Sequence, residues 1–291
     1  MKKPLALISV FVLIIIISSF LAPIIYQHTD FKFHRILSRC IMVGVLISMI
    51  FYFQKMDRSS IGALFSSYGL KWDKKNSLRS IIQGFVVVLC VLAVLMGIEM
   101  FLGARIFKLN IKDTFILQLI EYIFAAFIIA FIEEFFFRGM IFNKAKSISL
   151  ASAFIITNAF YSIVHFLKPG DIVVLKDNPT VIDSFRVIGA CLQPFLSPIT
   201  ILPGFIGLLL FGLVLNYTYW RTNSLYHAIG IHAGCVFFLK ADGFFLHINH
   251  DMPVLIYGDK NIYTGILGWV FIIIIGLIMR LIFRRTQSIS S

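Results

Sequence analysis

Charge is scarce in this sequence, and the chain has only four glutamates in 291 residues. Charged residues make up 14% of the chain, whereas soluble domains contain about 25%. Hydrophobic residues make up 59%, and this balance excludes a soluble globular domain. The apolar runs long enough to span a bilayer cover residues 5–26, 36–53, 81–103, 116–143, 150–167, 197–218, 224–241 and 263–283. We therefore predict an all-α, polytopic membrane helix bundle of about eight transmembrane helices, with residues 1–291 forming a single integral-membrane domain.

Cysteine is also rare, with four residues and no CxxC pair. This pattern excludes a disulfide framework and a zinc knuckle. The zinc-protease motif HExxH is absent, and no serine nucleophile elbow or serine–lysine pair stands out. We predict no cofactor and no metal, although the glutamates and histidines described below leave a metal site as an alternative. The net charge of +12 favours the surface of a lipid bilayer over nucleic acid as a partner.

Two of the four glutamates, Glu133 and Glu134, are adjacent and interrupt the apolar run FIIAFIEEFFFRGMIF. A carboxylate at bilayer depth costs about 2.5–3.5 kcal/mol on insertion scales, and such a group is a functional candidate. On an α-helix Glu134 and Arg138 are i,i+4 partners in the favourable order. Glu133 points about 100° away from Glu134 and suits a general base or acid. The alternative is that both glutamates belong to a charge network that packs helices together.

The next apolar run contains His165, and its depth can be compared with that of Glu133. The segments on either side of 147–152 are typical of a helical hairpin, and both residues lie sixteen positions from residue 149. At 1.5 Å per residue, each is roughly 24 Å from the turn. We therefore expect Glu133 and His165 to face each other in one cavity, which Asn158 and Tyr161 also line because they share the helix face of His165.

A third apolar run with polar residues is LYHAIGIHAGCVF, which contains His227 and His232. The two histidines are five residues apart and point in different directions on a helix. His232 lies deeper and is followed by small residues that allow a helix or a substrate backbone to approach. We therefore choose His232 as the site residue. Cys235 is an alternative nucleophile, but it has no evident third partner.

These residues together suggest hydrolysis of an acyl bond by an activated water. Glu133 takes the proton of the water, His165 orients that water, and His232 stabilises the oxyanion. A non-catalytic protein that binds a partner helix is a second interpretation. A proton-coupled transporter is a third, although the paired repeats typical of transporters are not seen. Residues 168–195 form a long connection that is a candidate lid over the site.

The run EEFFFRG resembles the EExxxR motif of the CPBP family of glutamic-type intramembrane proteases. This family includes the type II CAAX prenyl endopeptidases and proteins similar to lysostaphin resistance protein A. Tyr161 and His165 resemble its second motif, an aromatic residue followed four positions later by histidine. His232 aligns with the third motif, HxxxN, but Val236 stands at the asparagine position. The resemblance covers residues 115–241.

The resemblance implies an intramembrane endopeptidase with Glu133, His165 and His232 as catalytic residues. Glu134 and Arg138 would support the site. For this chain we expect Asn158 to replace the missing amide, and the alternative is a slow or inactive member of the family. The substrate would be a membrane-embedded or membrane-associated peptide, and the protein would lie in the cytoplasmic membrane of a bacterium. Because an oxyanion donor is worth on the order of 10²–10³ in rate, Val236 leaves a non-catalytic immunity or partner-binding protein of the same family as the alternative.

Overall fold

The computed structural model describes residues 2–29, 31–57, 60–111, 113–167 and 178–289. The α-helices in these ranges are α1 (Lys2–Tyr26), α2 (Phe33–Asp57), α3 (Ile61–Ser67), α4 (Lys74–Phe101), α5 (Phe115–Glu134), α6 (Asn143–Lys146), α7 (Leu150–Val164), α8 (Val181–Ala190), α9 (Pro198–Thr222), α10 (Tyr226–Ala241), α11 (Val254–Tyr257) and α12 (Ile266–Ile289). A π-helix covers Phe135–Phe142, and short 3₁₀ turns cover Gln193–Leu196, Asp242–Phe244 and Ile262–Thr264. The short strands β1 (Arg105–Phe107) and β2 (Leu246–Ile248) pair antiparallel.

The prediction of a helical membrane bundle is confirmed, and each of the eight apolar runs coincides with a helix. In the described part of the chain, six helices are long and apolar enough to cross a membrane, when α5, the π-helix and α6 are counted as one continuous helix. Their apolar segments are Ser9–Tyr26, Phe33–Tyr52, Lys74–Phe101, Phe115–Lys146, Pro198–Thr222 and Ile266–Arg284. The other two runs form α7, with 15 residues, and α10, with 16 residues. At 1.5 Å per residue these helices are roughly 22–24 Å long, shorter than the hydrocarbon core of about 30 Å. The part of the chain that the structure describes therefore has six candidate spans, and the predicted count of eight is not confirmed.

The contacts divide the chain into two compact units, residues 1–64 with 165–201 and residues 65–164 with 202–291. The single-domain organisation stays a prediction. In the first unit α8 packs against both α1 and α2. Val187 of α8 joins a buried apolar cluster with Ala22 and Leu37. The candidate lid, residues 168–195, includes α8, but its residues 168–177 lie outside the described part of the chain.

The second unit is organised around α10, which packs against α4 and α5. Asp73 begins α4 as its N-cap, and hydrogen bonds from the backbone and side chain of Asn76 lower the pKa of this carboxyl. Near its other end, α4 carries Glu99, which accepts a hydrogen bond from Arg105 Nε of β1 at 3.0 Å. Both side chains are buried, so Glu99, the first glutamate of the chain, is ion-paired at the junction of α4 and β1.

Glycines allow α4 and α10 to approach each other closely. A Cβ on Gly230 of α10 would overlap the carbonyl oxygen of Ile81, and a Cβ on Gly84 of α4 would lie 2.6 Å from the carbonyl oxygen of His227. Gly234, where the sequence predicts a close approach, faces the backbone of Phe85. Small residues at a helix crossing are the usual means of close packing in membranes. The helix that packs against the small residues of α10 is α4.

Substitution of Gly230 by alanine is expected to lower the free energy of unfolding by about 1–3 kcal/mol, because the added methyl group must push apart two backbones. Gly97 of α4 is a matched control, since a Cβ there meets no heavy atom within 4 Å. Alanine at Gly97 should be neutral or stabilising by roughly 0.5–1 kcal/mol. Thermal unfolding in detergent micelles measures both variants, and equal melting temperatures would contradict the tight crossing.

Candidate active site

The two adjacent glutamates lie where an α-helix changes into a π-helix. Glu133 and Glu134 end α5, and the π-helix begins at Phe135. The i→i+5 bonds of a π-helix are rare and occur often at functional sites. The wider turn changes the angular spacing that the sequence analysis assumed beyond Glu134. The pair Glu134 and Arg138 nevertheless meet, with Arg138 Nη1 donating to Glu134 Oε1 at 2.9 Å.

Arg138 is fully buried and is held by three acceptors. Besides the Glu134 contact, its Nε donates to Asn216 Oδ1 at 3.0 Å and its Nη2 donates to the carbonyl oxygen of Gly212 at 3.3 Å. Its Cζ atom lies 4.5 Å from the centre of the Tyr161 ring, a distance typical of a cation–π contact. A guanidinium with these partners is fixed in position, and it therefore fixes the carboxylate of Glu134.

His232 lies between the two glutamates. Its Nδ1 is 2.7 Å from Glu134 Oε1, and its Nε2 is 3.8 Å from Glu133 Oε2. Because Glu134 is ion-paired with Arg138 and acts as an acceptor, Nδ1 of His232 must be the donor. Nε2 is then left to face Glu133. The sequence analysis treated the two carboxylates as turned away from each other. In the structure the imidazole ring lies between them, and each of its nitrogens faces one carboxylate.

The supporting residues of α7 face this network from another helix. Tyr161 is buried, and its ring centre lies 6.3 Å from that of His232. Asn158 is also buried, and its Nδ2 donates to the carbonyl oxygen of Leu209 at 2.8 Å. The side chain of Asn158 therefore ties α7 to α9. Its predicted role as the replacement amide stays a prediction.

His165 is the first residue after α7 and is partly buried. The two compact units divide the chain between Val164 and His165. The residue follows Tyr161 by four positions, which places it about one helical turn further along the chain. Its approach to Glu133 stays a prediction.

His227, Cys235 and two further histidines occupy ordinary positions. His227 Nε2 lies 3.3 Å from Gln83 Oε1, and its ring packs edge-on against Phe283. Cys235 is half-buried on α10. His247 is on β2, and His250 lies just beyond that strand, both exposed to solvent. Within the described ranges, no group of three or more His, Cys, Asp or Glu side chains is arranged to hold a metal ion.

The sequence analysis missed Asn216 and Gly212, which hold Arg138 from α9. Asn216 is fully buried, and a Cβ on Gly212 would overlap Oδ1 of Asn158. The signal was present, because Asn216 is the first strongly polar residue after the apolar run GFIGLLLFGLVL. A polar side chain in such a run is a candidate site residue by the same argument that selected Glu133.

Comparison with known proteins gives a family for this region. A family model described as type II CAAX prenyl endopeptidase Rce1-like matches residues 115–238. Searches of curated proteins and of solved structures found no significant match. The chain thus contains an Rce1-like domain, which confirms the CPBP resemblance predicted from the motifs. The apolar helices indicate a multi-pass membrane protein, and its residues 115–238 are similar to a membrane protease family.

Proposed function

We propose that this protein is an intramembrane endopeptidase that hydrolyses a peptide bond with an activated water and no covalent intermediate. The observation that carries the proposal is the convergence of Glu133 and Glu134 on the ring of His232. Ionisable groups inside a membrane domain are expensive and are retained for function. The match of residues 115–238 to a protease family supports a hydrolytic use for them.

The geometry supports separate roles for the two glutamates. Glu134, held by Arg138, positions His232 through Nδ1 and directs Nε2 towards Glu133. The general base is Glu133, which takes a proton from the attacking water, and His165 orients that water with it. In this step His232 carries a proton on both ring nitrogens, so that Nδ1 donates to Glu134 while Nε2 donates to the carbonyl oxygen as it becomes an oxyanion. This assignment agrees with the ion pair of Glu134 with Arg138 and with the distance of 3.8 Å between Glu133 Oε2 and His232 Nε2.

The substrate of such a site is a membrane-embedded or membrane-associated peptide, and the partner of the helices is the lipid bilayer. The family description makes a prenylated C-terminal peptide one candidate substrate class. The motifs also resemble those of lysostaphin resistance protein A, which favours a bacterial cytoplasmic membrane. The site requires no cofactor, no metal and no nucleic acid in this proposal.

A second candidate function is a non-catalytic membrane protein that binds a partner, such as an immunity factor. Val236 favours it, because valine cannot donate a hydrogen bond from the position one turn beyond His232. A proton-coupled transporter is a weaker third candidate, supported only by the buried carboxylates and histidine. Both alternatives predict that peptide termini in the membrane are unchanged when Glu133 is altered.

The experiment that tests the proposal compares peptide termini in membranes from a deletion strain. The strain is complemented with the wild type, with Glu133→Gln, or with Glu121→Gln, which alters an exposed glutamate of the same helix. We expect new termini from at least one membrane protein with the wild type and with Glu121→Gln, and none with Glu133→Gln. Identical termini in all three strains would favour the partner-binding function.

A further inference from the structure

Attack of water on a peptide carbonyl places negative charge on the carbonyl oxygen, and this oxyanion needs hydrogen-bond donors. His232 can offer it only Nε2, because Nδ1 is bound to Glu134 at 2.7 Å. One donor leaves an oxyanion in a low-dielectric site poorly stabilised. A second donor near the same network is therefore expected on chemical grounds.

Most N–H donors around the site already have acceptors. All three nitrogens of Arg138 donate to protein oxygens. Asn158 Nδ2 donates to the carbonyl oxygen of Leu209, and Val236 has no polar side-chain atom. Asn216 is different, because its Nδ2 is buried and has no acceptor among the residues that the structure describes.

The amide of Asn216 is fixed as well as buried. An arginine nitrogen can only donate, so the Arg138 contact at 3.0 Å identifies Oδ1 as the acceptor and leaves Nδ2 pointing away from Arg138 in the same amide plane. A buried donor without an acceptor costs about 1–3 kcal/mol. Such groups need an explanation in a folded protein, and a role in catalysis is one of those expected.

Asn216 also lies at the depth of His232. The connection between α9 and α10 is centred on Ser224, and Asn216 and His232 are each eight residues from it. Both are therefore roughly 12 Å along their helices from the turn. The ring of Phe211, also on α9, lies 5.8 Å from the His232 ring between centres. Asn216 is also joined to His232 by a chain of contacts, because Arg138 donates to both Asn216 Oδ1 and Glu134 Oε1, and Glu134 Oε1 contacts His232 Nδ1.

We propose that Asn216 is a catalytic residue that donates from Nδ2 to the oxyanion, a role that rests on the proposed endopeptidase function. Water attacks the carbonyl carbon while its proton passes to Glu133, and the carbonyl oxygen accepts hydrogen bonds from Asn216 Nδ2 and His232 Nε2. The carbon–nitrogen bond then breaks, and the proton on Glu133 moves to the leaving amine. The products are one carboxylic acid and one amine, as hydrolysis requires.

The test separates the donor Nδ2 from the acceptor Oδ1. Asn216→Asp keeps an oxygen for Arg138 but removes the donor, whereas Asn216→Leu removes both. Thr218→Val is the matched control, because Thr218 is another fully buried polar residue of α9 whose hydroxyl has no partner in the described ranges.

Purified variants in proteoliposomes are assayed with a quenched peptide library that includes farnesylated CaaX peptides. The variants Asn216→Asp and Asn216→Leu should each lose about 10²–10³ in kcat with little change in KM, and Thr218→Val should stay near the wild type.

Two further measurements make the test decisive. Adding Val236→Asn to Asn216→Leu supplies an amide one turn beyond His232 and should recover at least tenfold in kcat. A phosphinate analogue of the tetrahedral adduct should bind the wild type more tightly than it binds Asn216→Leu, while the parent peptide binds both equally.

If the wild type cleaves a peptide and Asn216→Asp is equally active, Asn216 only positions Arg138 and the proposal is overturned. A wild type that neither cleaves the library nor binds the phosphinate would overturn the endopeptidase function as well.

Discussion

Replacing Arg138 with methionine is expected to lower the free energy of unfolding by about 3–5 kcal/mol. The side chain is fully buried, and its removal leaves the buried carboxylate of Glu134 without its ion-pair partner. The oxygens of Asn216 and Gly212 lose their donor in the same step. The measurement is unfolding in detergent micelles followed by tryptophan fluorescence.

An exposed ion pair between an arginine and a carboxylate provides the control for Arg138. Arg186 pairs with Asp183 at 3.0 Å, but the Arg186 side chain is 66% exposed. Arg186→Met should therefore change stability by less than about 1 kcal/mol. The double variant Arg138→Met with Glu134→Gln removes the unpaired charge and should recover a large part of the lost stability, without recovering activity. If Arg138→Met were as stable as Arg186→Met, the buried network would not have the strength described here.

Replacing His232 with glutamine is expected to lower kcat by about 10²–10⁴, the range for loss of a group that transfers a proton or stabilises an oxyanion. The residue is 3% exposed, and its ring is the group that contacts both glutamates. Glutamine has similar length but cannot offer two ring nitrogens to two carboxylates at once. The peptide-cleavage assay in proteoliposomes measures the effect.

His227→Gln is the matched control, because His227 lies on the same helix five residues earlier and contacts Gln83 and Phe283 instead of the glutamates. Its kcat should stay within about threefold of the wild type. Equal losses in the two histidine variants would indicate that both act through the packing of α10 and that His232 has no special role.

Sequence reasoning predicted the helices well, because long apolar runs are strong local signals, and it singled out the buried carboxylates because they interrupt such a run. The pair Glu134 and Arg138 follows from i,i+4 spacing alone. The choice of His232 over His227 depended on depth and on small neighbours, and the structure places His232 against both glutamates. Each of these inferences uses residues that are close in sequence or share one helix.

What sequence reasoning did not predict depends on geometry between helices. The π-helix at Phe135–Phe142 has no simple sequence signature, and it alters the register that ideal helical steps would give. The hydrogen bonds from Arg138 to Asn216 and to Gly212 join residues more than 70 positions apart in the sequence. Lengths of 15 and 16 residues for α7 and α10 were also missed, because the run 150–167 extends past the last helical residue of α7 and the run 224–241 starts before the first helical residue of α10.

The most direct test of the central claim, that a buried glutamate beside His232 activates water, is the rate of peptide cleavage by purified Glu133→Gln relative to Glu121→Gln. Glutamine keeps the size of the side chain but cannot act as a base, so the first variant should lose at least about 10² in kcat. The second should cleave at close to the wild-type rate, because Glu121 is exposed on the same helix. Cleavage by Glu133→Gln at the rate of Glu121→Gln would contradict the account.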